Sequence, residues 1–368
     1  MTIEDLTLLL TRGLGSRSIY RLIEAFGSAE AVVAASCEEL VERVNLRPEI
    51  AERIVRREAM SQAYSEVEYC QRHNIAILSA TDEEYPSPLK MVEDRPHVLF
   101  VRGSVDALSK PSLAMVGTRE MSPTGQTVCN RLVEGLSKRV SNISIVSGLA
   151  YGVDSACHRA ALTYGLTTVA VVASVLPEVT PAPHRALAEE IVRSGGAIVS
   201  ELHSHTHQNG SLFIARNRII AALSRATLVV ESPASGGSLT TADIADSYGR
   251  VVLAVPGRLT DVTSSGCNNL IRTGKARLVL TASDIIDDVG FDLDSDAPGE
   301  VLYNSVVLDN LNPKERVVYE IISSTEVASL TDILNQSKLS IGDVTMTIMN
   351  LEIQGFVRTL PGQRYEKI

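Results

Sequence analysis

A chain of 368 residues exceeds one ordinary domain, and a composition 45% hydrophobic and 21% charged supports folded cores rather than wholesale disorder. No apolar run has the length of a membrane span, the acidic start Met1-Thr2-Ile3-Glu4-Asp5 is unlike a secretory signal, and five scattered cysteines without a CxxC pair exclude a disulfide framework or cysteine zinc site. A cytoplasmic protein with no membrane partner is expected. The net charge of −10 speaks against nucleic acid for the molecule as a whole, yet phosphate binding depends on local charge, and arginines gather in a few glycine-rich loops.

Residues 1–72 read as a helical domain. Leu6, Leu9 and Leu10 lead into Gly13-Leu14-Gly15, and an amphipathic stretch with Ile19, Leu22, Ile23 and Phe26 follows. Two glycines permit a tight turn between helices, as in helix-hairpin-helix or SAM-like modules, and Arg12, Arg17 and Arg21 stand close by; a plain αα-corner in a helical bundle accounts for the same pattern. Across 73–288 short β-rich runs alternate with helical periods: Ala76–Ser79, Val98–Val101, Leu113–Val116, Ile143–Ser147, Thr168–Ala173, Ala197–Ser200, Thr227–Glu231, Val251–Val255 and Arg277–Leu280. Such alternation predicts βαβ units and an α/β fold, a mostly parallel, Rossmann-like sheet with helices on both faces. Residues 289–308 read as an acidic linker, and 309–368 as a winged helix with helices Pro313–Ser323, Leu330–Ser337 and Ile341–Ile353 and a hairpin around Pro361-Gly362.

In an open parallel sheet ligands lie beyond the carboxyl ends of the strands, where this sequence places its glycines. The predicted third strand is followed by Gly117-Thr118-Arg119, then Ser122; the fourth ends in Ser147 and runs into Gly148-Leu149-Ala150-Tyr151-Gly152; the seventh is followed by Gly236-Gly237-Ser238-Leu239-Thr240-Thr241. Each loop is expected to open a helix and to face one crevice with free N–H groups, which makes an anion site suited to phosphates. Arg216-Asn217-Arg218 is expected to open a further helix, with either arginine contacting phosphate or bracing loops through Glu201 or Glu231. Arg119, at a strand-end turn, is the stronger ligand candidate.

Signatures of catalysis are missing. There is no GxxxxGK[ST], no GxGxxG in the first βα turn and no GxSxG, so no catalytic residue and no cofactor is assigned. His203, His205 and His207 alternate in one polar loop without metal-ligand spacing, so no metal is assigned either. Asp154, four residues before His158, reads as a helix N-cap.

Taken in order, Tyr85-Pro86-Ser87-Pro88-Leu89, Leu99-Phe100-Val101-Arg102-Gly103, Val116-Gly117-Thr118-Arg119, Ser147-Gly148-Leu149-Ala150-Tyr151-Gly152-Val153-Asp154, Arg216-Asn217-Arg218-Ile219-Ile220, Ser238-Leu239-Thr240-Thr241-Ala242, Ala254-Val255-Pro256-Gly257 and Gly266-Cys267-Asn268-Asn269-Leu270-Ile271 resemble the DprA/Smf family over nearly the whole chain. The resemblance implies binding of single-stranded DNA in the Rossmann-like domain, help in loading the RecA recombinase during transformation or recombination, and a homodimer through the same domain. It maps the family's pocket onto Gly117, Thr118, Arg119, Ser147 and Gly148, with Asn268 in the last matching run. Two stretches depart from it: 173–184 lacks the family's glycine turn, leaving Arg185 as the nearest counterpart of its basic residue, and Phe213-Ile214-Ala215 lacks the proline expected after Phe213.

Two other functions fit parts of the sequence. Gly236-Gly237-Ser238-Leu239-Thr240-Thr241-Ala242-Asp243 is similar to the loop of nucleotide hydrolases of the lysine-decarboxylase-like group, with Asp243 in place of their glutamate. A winged-helix transcription regulator would read duplex DNA through 341–353, but that helix holds no Lys or Arg and two acids.

Overall fold

Every side chain of Ser112–Val116 (β3) is buried, the pattern of a strand covered on both faces. Leu113 and Met115 point to one face and Ala114 and Val116 to the other, because successive side chains alternate across a strand. Full burial of a side chain such as Leu113 contributes about 1.5–3 kcal/mol relative to exposure. The computed structural model describes residues 1–207, 209–294, 311–325, 327–353 and 356–367, in two compact units, Met1–Pro298 and Gly299–Ile368.

The first unit is built on a nine-stranded sheet. Two strands, Ala76–Ser79 (β1) and Val98–Gly103 (β2), precede β3; Ser144–Ser147 (β4), Thr167–Val171 (β5), Ala197–Ser200 (β6), Ala226–Val229 (β7), Val251–Ala254 (β8) and Arg277–Leu278 (β9) follow it. Their order is β1-β2-β6-β5-β4-β3-β7-β8-β9, with β1 and β2 antiparallel at one edge and the strands from β6 to β9 parallel. The chain winds from β3 outward to β6, then returns to place β7 on the other side of β3. That reversal puts the topological switch point, and hence the ligand crevice, between the carboxyl ends of β3 and β7.

One face of the sheet is covered by Ser211–Leu223 (α11), Gly237–Ser247 (α12) and Ser265–Arg272 (α13). The other carries Pro123–Ser137 (α8), Val153–Thr163 (α9) and Ala282–Val289 (α14), continued by Arg185–Arg193 (α10). The nine strands lie where apolar alternation predicts, with ends shifted by one or two residues.

The N-terminal helices are Ile3–Leu10 (α1), Ser16–Phe26 (α2), Ala29–Ala34 (α3), Cys37–Val44 (α4), Pro48–Val55 (α5) and Met60–Arg72 (α6), with Ser87–Lys90 (α7) lying after β1. Helices α2 to α5 close around their own core, whereas Leu6 of α1 and Ala63 and Cys70 of α6 share a core with Phe100 and Ile198 of the sheet. Gly13 takes a positive φ of 89° in the turn between α1 and α2, a conformation open to glycine at no steric cost.

The second unit is a winged helix: Pro313–Ser323 (α15), Leu330–Ser337 (α16) and Ile341–Ile353 (α17), with Ala328–Ser329 (β10), Val357–Leu360 (β11) and Arg364–Lys367 (β12) paired in the order β10-β12-β11. All three helices have the bounds read from their periodicity. Of the expected acidic linker, 295–308 lies outside the described residues. Among the described residues no helix is long and apolar enough to cross a membrane.

Candidate functional site

The loops after β3, β4 and β7 meet at the switch point. The Thr118 N–H donates to the Glu231 carbonyl at 2.7 Å, and the Thr118 carbonyl accepts from the Val153 N–H at 3.2 Å. Three segments far apart in sequence are thereby tied into one rim.

The expectation of free N–H groups at each of the three helix starts is corrected for α9, whose Val153 and Ser155 N–H groups donate to the Thr118 and Ala150 carbonyls, and for α8. Its first turn is filled by the protein's own carboxylate: Glu231 Oε2 accepts from Ser122 N–H at 3.0 Å and from Ser122 Oγ at 3.1 Å, while Ser122 Oγ caps Gly125 N–H. A Cβ on Gly125 would lie 2.3 Å from that carboxylate, so the residue must be glycine for Glu231 to reach the helix dipole. Helix α12 differs: it starts at Gly236 without a side-chain cap, and Gly237 and Thr240 are exposed. Ser238 donates to Ser232 Oγ and is buried, as is Thr241.

Arg216 does not open a helix. Helix α11 begins at Ser211, where Asn209 accepts from the Ser211 N–H, and nothing between 211 and 216 breaks it, so Arg216 lies in its second turn. Its guanidinium is buried; Nη1 donates to the Gly148 carbonyl at 2.7 Å and to the Val171 carbonyl, and Nε donates to Asn217 Oδ1 at 3.2 Å. A Cβ on Gly148 would sit 2.5 Å from that guanidinium, so glycine lets the arginine pass beneath the loop. Burial lowers the Arg216 pKa from its usual value and the Asp154 carboxylate opposes the shift, while burial raises Asp154 and Arg216 opposes that.

Asp154 is not the N-cap of α9. Gly152 holds that position and Asp154 lies in the first turn, buried, accepting from Ala150 N–H at 3.3 Å. The loop it underlies includes Leu149 at a φ of +59°, a left-handed conformation that costs an L-residue roughly 1–2 kcal/mol. That backbone is held from above, where His184 Nδ1 donates to the Leu149 carbonyl at 2.7 Å. His158 is buried below. Its Nδ1 lies 2.7 Å from Thr168 Oγ1, and because that hydroxyl already donates to Ile145 carbonyl, His158 is the donor. Its Nε2 finds no partner among the described residues, and burial drives the pKa down to about 3.

The remaining candidates divide by what they touch. Ser147 is fully buried and donates to the Met115 carbonyl at 2.6 Å. Asn268 makes a two-way bond with the Gly257 backbone, 3.0 Å in each direction. Arg218 pairs with Glu201, one of the two carboxylates anticipated for it, and Arg185 pairs with Glu178. Asp243, at the position of the hydrolase glutamate, pairs with Lys275 at 2.9 Å. The His203 and His205 rings are 6.2 Å apart, and among the described residues no group of three metal-competent side chains forms.

Arg119 is different. It is exposed at the carboxyl end of β3, it forms no ion pair with any described carboxylate, and its guanidinium lies 5.9 Å from the centre of the Phe213 ring. Phe213 was missed as a site residue by sequence reasoning, although it is one of only five phenylalanines and stands three residues before Arg216. His184 and Leu149 were missed as well, since nothing local distinguishes them.

An open α/β sheet with an arginine-bearing crevice at its switch point, followed in the same chain by a winged helix, defines the class: a Rossmann-like anion-binding protein with an appended winged-helix module. Residues 76–290 match the family model of DNA recombination-mediator protein A, and 307–363 match the DprA winged helix domain. The chain belongs to the DprA/Smf family of DNA recombination mediators. It is 32% identical over 357 residues to a putative DNA processing protein DprA of Mycobacterium tuberculosis, covering 93% of this chain and 88% of that one. The X-ray structure of DprA from Streptococcus pneumoniae matches with a TM-score of 0.66 at 29% identity, over 80% of this chain and 99% of that one. DNA processing protein A of Helicobacter pylori, whose structure is described for its unique single-stranded DNA binding mode, matches with a TM-score of 0.53 at 27% identity, over 60% of this chain and 97% of that one.

Proposed function

We propose that the chain binds single-stranded DNA at the carboxyl ends of β3 and β7, mainly through phosphates and with little sequence preference, and presents the strand to RecA as a mediator that makes and breaks no covalent bond. The observation that carries this reading is Arg119, an exposed cation without a carboxylate partner among the described residues, beside an aromatic ring at the switch point. A guanidinium can meet one phosphate in a bidentate manner while the Phe213 ring takes a base face, the two chemistries of sequence-tolerant strand binding. At the uncapped start of α12 the Gly236 N–H is bound to the Pro233 carbonyl and Gly237 adds the backbone N–H, and Gly117, Thr118 and Thr240 border the same crevice in this proposal. Ser122, Ser147, Gly148, Arg216, Asn217, Arg218, Ser238, Thr241 and Asn268 enter it as the braces that hold those loops. Arg185, paired with Glu178, is a flanking cation. The reading is supported by family membership and by the single-strand binding described for the Helicobacter pylori relative. Self-association through the α/β unit belongs to the same proposal; the edge strand β9 leaves Leu278 43% exposed and Leu280, just beyond it, 48% exposed.

The test is oligonucleotide binding by wild type and Arg119→Ala across a salt series, together with RecA filament assembly on the same DNA. Weaker binding with a shallower salt slope and slower assembly is expected. Wild-type behaviour of a folded Arg119→Ala protein in both assays sinks the reading.

A further inference from the structure

An open cleft of about 630 Å³ lies on the far side of α11 from the Phe213–Arg119 contact, bounded by α2, the segment 91–94, α11 and the end of α12. No residue of the glycine loops lines it. Met91 and Ile214 are large apolar side chains in its wall, exposed to 77% and 62%. Tyr248 donates to Asp94 Oδ1 at 2.6 Å and leaves that carboxylate's second oxygen to accept. Arg17, from the helical hairpin, is exposed, forms no ion pair with any described carboxylate, and is near enough to Tyr248 to oppose the rise of its pKa. Arg218 closes the floor, held by Glu201.

This is the chemistry of a single nucleotide rather than of a phosphate track. Arg218 is already neutralised by Glu201, and Glu93 and Asp94 outnumber Arg17, so a run of phosphates would be repelled, while apolar walls receive a flat base and a carboxylate accepts from its N–H edge. The crevice and the cleft meet α11 at successive residues: Phe213 faces Arg119, and the next two, Ile214 and Ala215, line the cleft.

We infer that a strand bound at Arg119 passes over the first turn of α11 and lays one further nucleotide into this cleft, its base against Met91 and Ile214 and its phosphate toward Arg17. The inference rests on the proposed single-strand binding and adds to it a contact made by the N-terminal helical segment. That contact comes from a side chain of α2, not from the backbone of the Gly13-Leu14-Gly15 turn.

The experiment uses the full chain and two fluorescent oligothymidylates, one of about 4 nucleotides that fills the crevice alone and one of about 12 that also reaches the cleft. Arg119→Ala should weaken both. Arg17→Ala and, on a separate element, Met91→Ser should weaken the longer strand about three- to ten-fold and leave the shorter one unchanged. Both replaced side chains are exposed, and an unchanged thermal midpoint verifies that each variant is folded. If Arg119→Ala weakens binding while Arg17→Ala and Met91→Ser bind the longer strand as wild type does, the cleft is not on the DNA path and the inference is overturned with the crevice reading intact. If Arg119→Ala changes nothing, the crevice reading itself has failed and the inference falls with it.

Discussion

The crevice of the nine-stranded sheet and helix α17 of the winged helix both occupy positions where related architectures meet nucleic acid, and their surfaces are chemically opposite. The crevice presents Arg119 without a described carboxylate partner, beside glycine backbone and threonine hydroxyls. Helix α17 contains no Lys or Arg, and it exposes Met346, Met349 and Ile353 to between 61% and 74%. A groove-reading helix depends on cations to neutralise phosphates, and α17 offers none. The two regions teach that the outline of a nucleic-acid module says little until the free charges on it are identified. The apolar face of α17 has the chemistry of a protein contact.

Within the crevice the same distinction separates arginine from arginine, and the largest expected effect falls on stability, not on binding. Arg216→Ala would leave Asp154 buried without its cation and the Gly148 and Val171 carbonyls without their donor. A loss of about 3–5 kcal/mol in denaturant unfolding is expected, the scale of leaving a buried charge uncompensated. Unchanged stability would mean that Arg216 is no brace.

Arg119→Ala should do the reverse. Its thermal midpoint should match wild type while affinity for single-stranded DNA falls by about 1.5–3 kcal/mol and the salt slope flattens by about one counterion. The pair of variants, measured side by side, separates ligand from scaffold.

His158 sharpens the contrast by pH. Its folded pKa is depressed to about 3 from the ordinary 6.5, so its contribution is complete above about pH 6.5 and is lost as pH falls toward 3. Below 6.5 the unfolded chain takes up a proton that the buried, neutral ring refuses. At pH 5 that amounts to about 2 kcal/mol of lost stability. His158→Gln should show a shallower decline of unfolding free energy between pH 7 and 5, and parallel curves for the two proteins would contradict the assignment.

The smallest effect belongs to the winged helix. A chain ending at Asp294 should bind single-stranded DNA within about a factor of two of the full chain, roughly 0.4 kcal/mol. A larger loss in the folded, shortened protein would give α17 or its wing a share in the DNA contact.

Much of the architecture is local in origin and was legible as such. Strand positions follow from runs such as Leu113–Val116, and the helices 313–323, 330–337 and 341–353 have the same ends in the sequence pattern and in the fold, because hydrophobic periodicity and capping residues such as Asn312 and Ser329 act within a few positions. The start of α11 was not legible, since no marked breaker separates Ser211 from Arg216 and its apolar face turns weakly. The glycine loops were legible as anion sites in kind, but the starts of α8 and α9 were misjudged because the acceptors that fill them, the Glu231 carboxylate and the Thr118 carbonyl, come from other loops.

By itself, then, the sequence determined the order of strands and helices along the chain, the winged helix, and the clustering of glycine and arginine at strand ends. Only the tertiary structure decided the lateral order of the strands and which cations remain available. Arg216 meets its carbonyl acceptor at Gly148 across 68 positions, and Ser122 meets Glu231 across 109. Partners that distant leave no periodic trace in the sequence. The desolvation that turns Arg216 into a brace, and its absence that leaves Arg119 free, arise only when the sheet brings the loops together.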